Sequence, residues 1–292
     1  MELDPAQLRA LSAAVREGTL EAAARALHVT PSAVSQRLRA LEVATGRVLL
    51  VRSRPVRPTA SGEVLLRLAR QVELLTSDTM AELGVSPGEA GVPSLPIAVN
   101  ADSLATWVLP ALAPLAWEIA IDLHREDEEH TAALVRSGAV VAAVTTQPDP
   151  VPGCWATRLG VMRYRPRAAA GFAQRWFPDG VTAEALARAP VVVFDRKDDL
   201  QHRYLRRRVP EGAEPPTHHV PSSADFAAAV RWGMGWGMLP DLQVHADDDL
   251  VDLDPAGAVE VVLHWQQWKL RSAPLDRVAA AVTAAARRHL GR

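Results

Sequence analysis

The sequence predicts a mixed α/β protein in two parts: an N-terminal winged helix-turn-helix, then a long helix, a hinge and a two-lobed α/β module. Three observations carry this reading. Apolar residues recur at helical spacing, with tight stops, between Pro5 and Gly46. The segment "GVSPGEAGVPSLP" concentrates glycine and proline after Leu83, and beyond it short apolar runs alternate with helical stretches.

In the first part, Leu8, Leu11, Ala14 and Val15 predict a helix from Pro5 to Glu17 that Gly18 stops. A second helix follows from about Thr19 to Leu27. Thr30 fits an N-cap, Pro31 the first helical position, and Val34, Leu38 and Leu41 the buried stripe of a third helix ending at Gly46. Three short helices with a tight connection make a helix-turn-helix. "VLLVR" and "VRPT" flank "SRP" and predict a two-stranded wing, so the winged unit spans residues 1–58.

A long helix over 59–83 carries Leu65, Leu68, Val72 and Leu75 at 3, 4, 3 spacing, a coiled-coil seam too short to hold a dimer unaided. Residues 84–93 form the hinge. From 94 to 292 the runs "PIAVN", "WEIAIDL", "VVAAVTT", "PVVVFD", "HHVP" and "GWGMLP" predict a mainly parallel sheet. Two longer strand-like segments, "TRLGVMRYRPRAAA" and "VEVVLHWQQWKL", sit where a chain crosses between lobes and returns. The expected first lobe is about 94–161 with 268–292, taking in a final helix from Leu275 to Leu290, and the second about 162–267. Ligands of such modules bind where strand ends and helix N-termini meet.

The 292 residues are 48% hydrophobic and 23% charged, which suits a globular chain of two or three domains. No apolar run reaches the roughly 18 residues of a membrane span, and the N-terminus is amphipathic and acidic at its start, unlike a signal peptide. The expected location is cytoplasmic, without a membrane partner. Cys154 is the only cysteine, so neither an intrachain disulfide nor a cysteine zinc site is expected, and no metal is. The net charge of −2 conceals a strong bias: from Arg25 to Arg57 seven arginines face one acid, Glu42, a local charge of +6. That is the footprint of a polyanionic partner.

At "AAARALHVTPSAVSQRLRALE" the chain resembles the LysR-type transcriptional regulators, and the order of winged helix, linker helix and α/β module matches as well. The segments "ADSLATWVLPAL", "VVVFDRKDDLQ", "VPSSADFAAAV", "GMGWGMLP" and "HWQQWKL" are similar to the branch that controls lysine and arginine exporters. The resemblance implies a two-lobed domain like a periplasmic binding protein. It implies a homodimer or a homotetramer built as a dimer of dimers, double-stranded promoter DNA as partner, and RNA polymerase as a candidate one. It also implies activation of an exporter gene by a small-molecule effector, a basic amino acid such as lysine or arginine, with no cofactor.

With Val34, Leu38 and Leu41 inward, Ser32, Ser35, Gln36 and Arg39 point outward and Arg37 to one side. Gln36 suits adenine and an arginine suits guanine, while Thr30, Pro31 and Ser32 bring backbone N–H groups and hydroxyls to a phosphate. Arg52 and Arg54 in the wing are candidates for phosphate or the minor groove. An amino-acid effector needs donors for its carboxylate and carboxylates for its cations. Asp102 with Ser103, and Ser222 with Ser223, lie between a strand and a helix, and Thr145 and Thr146 end a strand. The candidate acids are Asp102, Glu126, Asp127, Asp195 and Asp225; each also reads as an ordinary helix cap.

An enzyme is the competing class. There is no HExxH or P-loop, "GMGWGM" lacks GxGxxG spacing, and adjacent His218 and His219 face opposite sides of a strand. A second alternative is an architectural DNA-binding protein, similar to chromosome-initiation inhibitors, whose α/β half only dimerises.

Overall fold

A computed structural model describes residues 3–51, 53–84, 94–125, 131–209, 212 and 214–291. Contacts divide the chain into two compact units. The first is Met1–Val99, Pro114–Ala156 and Trp265–Ala280; the second is Asn100–Ala113, Thr157–His264 and Ala281–Arg292. No described helix is long and apolar enough to cross a membrane.

Unit 1 begins with α1 (Pro5–Glu17), α2 (Leu20–Ala26) and α3 (Pro31–Thr45). Each starts on a side-chain cap: Asp4 accepts from Ala6 N, Thr19 from Ala22 N and Thr30 from Ala33 N. Such caps satisfy N–H groups that the helix leaves open. Leu8, Leu11, Ala14, Ala23, Val34, Leu38, Leu41 and Leu49 close one buried core. The wing is β1 (Leu50–Val51) paired antiparallel with β2 (Arg57–Pro58). Glu42, the one acid of the basic stretch, accepts from Leu49 N at 2.9 Å and so anchors the wing to α3.

The long helix α4 (Ala60–Glu82) is capped by Thr59, whose Oγ1 accepts from Gly62 N at 3.1 Å. Its 3, 4, 3 stripe has a different use from the expected seam. Leu65, Leu68 and Val72 pack on the core of the three short helices, and only Leu75 of the four is largely exposed. The exposed apolar face of α4 carries Val64 and Leu75 instead.

The rest of unit 1 comprises β3 (Ser94–Val99), β4 (Ala120–Arg125), α7 (Thr131–Ser137) and β5 (Ala142–Thr145), with the C-terminal part of β11 (Val259–Trp268) and the first part of α12 (Ala273–His289). β3 lies between β4 and β5, parallel to both. The short helices between β3 and β4, α5 (Ala101–Ser103) and α6 (Leu109–Leu112), are joined by a π turn over Leu104–Val108 and group with unit 2.

Unit 2 is built on β6 (Cys154–Ala169), which pairs antiparallel with both β9 (Gly237–Pro240) and β10 (Leu250–Asp252). The expected parallel order therefore holds in unit 1 but gives way here to antiparallel pairs along one long crossing strand. A parallel pair, β7 (Val191–Val193) and β8 (Thr217–His219), lies among α8 (Ala170–Trp176), α9 (Ala183–Arg188), α10 (Leu200–Arg208) and α11 (Ser223–Arg231). Residues 100–113 and the end of α12 group with this unit rather than with the first lobe. The reasons are local bonds: Asp102 is held by Tyr164 and Ser223, and Val161 exchanges two backbone hydrogen bonds with Gly291.

Candidate functional sites

The third helix sets the first candidate site. Thr30 Oγ1 lies 2.9 Å from Ser32 Oγ, so both hydroxyls sit at the start of α3, with Pro31 at its first position. Ser32, Ser35, Gln36 and Arg39 are exposed and Arg37 is half-buried, while Val34, Leu38 and Leu41 are buried. One helix face therefore offers two hydroxyls, an amide and a guanidinium to solvent. Arg37, Arg39 and Arg54 make no ion pair among the described residues, so their charge is available to an external anion. Arg54 is exposed in the wing; Arg52 lies outside the described residues.

The second candidate site lies within unit 2. Asp102 Oδ2 accepts from the Tyr164 hydroxyl at 2.9 Å, and Asp102 Oδ1 accepts from Ser223 Oγ at 2.7 Å. Ser223 Oγ in turn accepts from Gln243 Nε2 at 3.0 Å. Burial pushes the Asp102 carboxyl above its ordinary range, against the opposing pull of the two hydroxyls. Asp198 behaves alike: burial raises it, backbone N–H groups of Leu200 and Phe194 hold it, and the negative charges of Asp102 and Asp195 raise it further. No arginine or lysine pairs with Asp102 or Asp198 among the described residues. The π turn begins directly after Ser103, and such turns concentrate at functional sites.

Nearby in sequence or element are buried polar atoms without a hydrogen-bond partner among the described residues: Ser103 Oγ, the Trp107 and Trp236 indole nitrogens and Gln201 Oε1. Native proteins rarely leave such atoms unmet. Among the described residues no cluster of His, Cys, Asp or Glu is suited to a metal ion.

Residues 5–63 match the bacterial regulatory helix-turn-helix proteins of the lysR family, and residues 91–287 match the LysR substrate binding domain. The chain belongs to the LysR family. This LysR-family chain is 43% identical over 291 residues to the lysine export transcriptional regulatory protein LysG of Corynebacterium efficiens, spanning 98% of each. The crystal structure of ArgP from Mycobacterium tuberculosis is similar at TM-score 0.86 and 44% identity, covering 100% of this chain and 99% of that one. Full-length LysG from Corynebacterium glutamicum with bound effector arginine is similar at TM-score 0.76 and 38% identity, covering 99% of this chain and 100% of that one. These relatives are named transcriptional regulators, and this LysR-family chain is a regulator rather than an enzyme.

The remaining candidates of this LysR-family chain divide clearly. Asp225 is exposed, and the Ser222 hydroxyl is used to cap α11 by accepting from Asp225 N. Asp195 accepts from the N–H groups of Lys197 and Asp198, so its carboxylate holds its own loop. The Ser223 hydroxyl, expected to meet a ligand carboxylate, is bound to Asp102 instead. Thr145 is buried and Thr146 half-buried at the end of β5 in unit 1. Glu126 and Asp127 lie outside the described residues.

Sequence reasoning missed Tyr164, Gln243 and Asp198. Alternation along β6 was the available signal for Tyr164: Met162 and Tyr164 are buried and Arg163 is exposed. Nothing local separates Asp198 from its neighbours Asp195 and Asp199 in "DRKDD".

If the face of α3 is the reading head, Arg39→Ala should weaken binding to promoter duplex by about 1–3 kcal/mol while leaving the fold intact. Arg37→Ala should also weaken binding and lower the salt dependence by about one counterion. A gel-shift titration across salt concentrations reads both, and unchanged affinity in both variants contradicts this docking.

Proposed function

We propose that this LysR-type regulator binds duplex promoter DNA as a homodimer or a dimer of dimers, through the outward residues of α3 and the wing. It senses a basic amino acid, arginine or lysine, and controls an exporter gene from the cytoplasm. One arrangement carries the choice of effector: Tyr164 and Ser223 hold the Asp102 carboxyl, burial and the negative charge of Asp102 raise Asp198, and among the described residues no protein cation pairs with either. Such a pair is stabilised by an external cation, which a guanidinium or ammonium supplies. Tyr164 and Ser223 fix the Asp102 carboxylate, so it meets that cation already oriented. The unmet polar atoms of Ser103, Trp107, Trp236 and Gln201 suit a polar ligand in the same unit. The arginine bound in the similar LysG structure supports the same reading.

Isothermal calorimetry of the full chain against arginine, lysine, histidine and citrulline tests it. Citrulline keeps the shape of arginine but lacks its charge. Arginine or lysine should bind and citrulline should bind at least about tenfold more weakly, since charge-assisted bonds are roughly twice as strong as neutral ones. Equal binding of citrulline rules out the carboxylate pair as the cation receptor, and silence from every amino acid favours an architectural role.

A further inference from the structure

Helix α4 is held on two sides within unit 1. On one side Leu65, Leu68 and Val72 pack on the core of the three short helices, and Glu73 Oε2 accepts from Ser12 Oγ at 3.1 Å. On the other side Arg67 and Arg70 meet the effector half of the chain. The Arg67 guanidinium carbon lies 5.7 Å from the ring centre of Trp268, at the end of β11, and Trp268 is fully buried. Arg70 donates to the carbonyl oxygen of Ala139.

Two glycines shape this seat. A methyl group on Gly138 would come within 2.8 Å of the Arg67 backbone, and one on Gly153 would overlap the Arg67 guanidinium. Both residues have positive φ, 77° and 79°, so glycine is required on two counts.

The seat is tied by direct bonds to the turn after β5, where the candidate residues Thr145 and Thr146 lie. Trp268 donates from Nε1 to Val135 O at 3.2 Å and from its backbone N to Val141 O at 3.1 Å. Two residues earlier on β11, buried Gln266 accepts from Val151 N and donates to the carbonyls of Gln147 and Asp149. Gln147 N donates to Thr145 Oγ1 at 3.2 Å. These bonds link the turn after β5 through β11 to the ring on which Arg67 rests.

We propose that Arg67, seated on Trp268 between Gly138 and Gly153, is the positioning residue that couples the effector lobe to the DNA reading head through helix α4. This rests on the effector reading above. The contacts form a continuous physical chain from the turn after β5 to α4.

The test compares the full-length protein with Arg67→Met and Arg67→Lys. Arginine binding is read by calorimetry. Affinity and bend of a duplex from the region upstream of its own gene are read by fluorescence with and without arginine. Amide exchange is read at 138–141 and Lys269. Arg67→Met should bind arginine and duplex within about twofold of wild type, yet its arginine-dependent change in affinity or bend should fall below about 1.5-fold. Exchange at the seat should rise about tenfold, and Arg67→Lys, which keeps a cation over the ring, should recover most of the response.

A full arginine response in Arg67→Met overturns the proposal, as does loss of arginine binding itself in that variant, which would make Arg67 a fold or ligand residue. A wild type that binds arginine without any change in duplex affinity or bend overturns it too. If wild type binds no amino acid, the effector reading falls by itself. Amide exchange then decides the seat, and unchanged exchange in Arg67→Met overturns it.

Discussion

Replacing Asp102 by asparagine is expected to cost arginine binding about 2–5 kcal/mol, roughly 30-fold or more, while leaving the apo protein as stable as wild type or more so. The substitution is close to isosteric and removes only the charge. The Tyr164 and Ser223 hydroxyls can each turn to accept from an amide as readily as they donate to a carboxylate. Calorimetry and thermal denaturation on one preparation read both halves of the prediction. Unchanged arginine affinity would remove Asp102 from the site.

A pH dependence accompanies this result. Asp102 and Asp198 are both raised, first by burial and then, for Asp198, by the neighbouring negative charges. The folded apo protein therefore holds protons that the unfolded chain has already released. Its stability falls as pH rises from the ordinary carboxylate range through the elevated folded values. Glu73, also raised by burial, contributes with the same sign but lies outside the site. A bound guanidinium favours the ionised carboxylates, so the arginine-induced gain in melting temperature is expected to be larger at pH 8 than at pH 5. A gain that is equal at both pH values excludes the buried acids as the cation receptor.

The second large effect is expected at Gly62. A methyl group there would overlap the Leu49 carbonyl oxygen and lie 3.2 Å from the Pro58 side chain. Gly62 is in the first turn of α4, and the same Leu49 carbonyl accepts from Thr59 N at 2.9 Å. Gly62→Ala forces the wing away from the helix that carries it, an overpacking cost of about 1–3 kcal/mol. The wing arginines move with it, so duplex affinity should fall along with the melting temperature. Arginine binding should not change, because Asp102 and its partners lie in the other unit. A Gly62→Ala protein with wild-type stability and duplex affinity would show that the wing yields without loss.

The winged helix-turn-helix and its caps were legible in the sequence. Caps at Thr19 and Thr30, the stop at Gly46 and the stripe of Val34, Leu38 and Leu41 are local signals, each set by residues within a few helical turns. The basic bias from Arg25 to Arg57 is local too, and so is the position of Asp102 between a strand and a helix. What these residues touch depends on long-range packing. The Asp102 partners lie 62 and 121 positions away in sequence, Asp198 differs from Asp195 in the backbone N–H groups it accepts from, and Leu65, Leu68 and Val72 of α4 pack on the core of its own chain. Local patterns follow from backbone periodicity and capping chemistry, whereas distant partners depend on how strands cross and where the chain returns, and no short window of sequence carries that information.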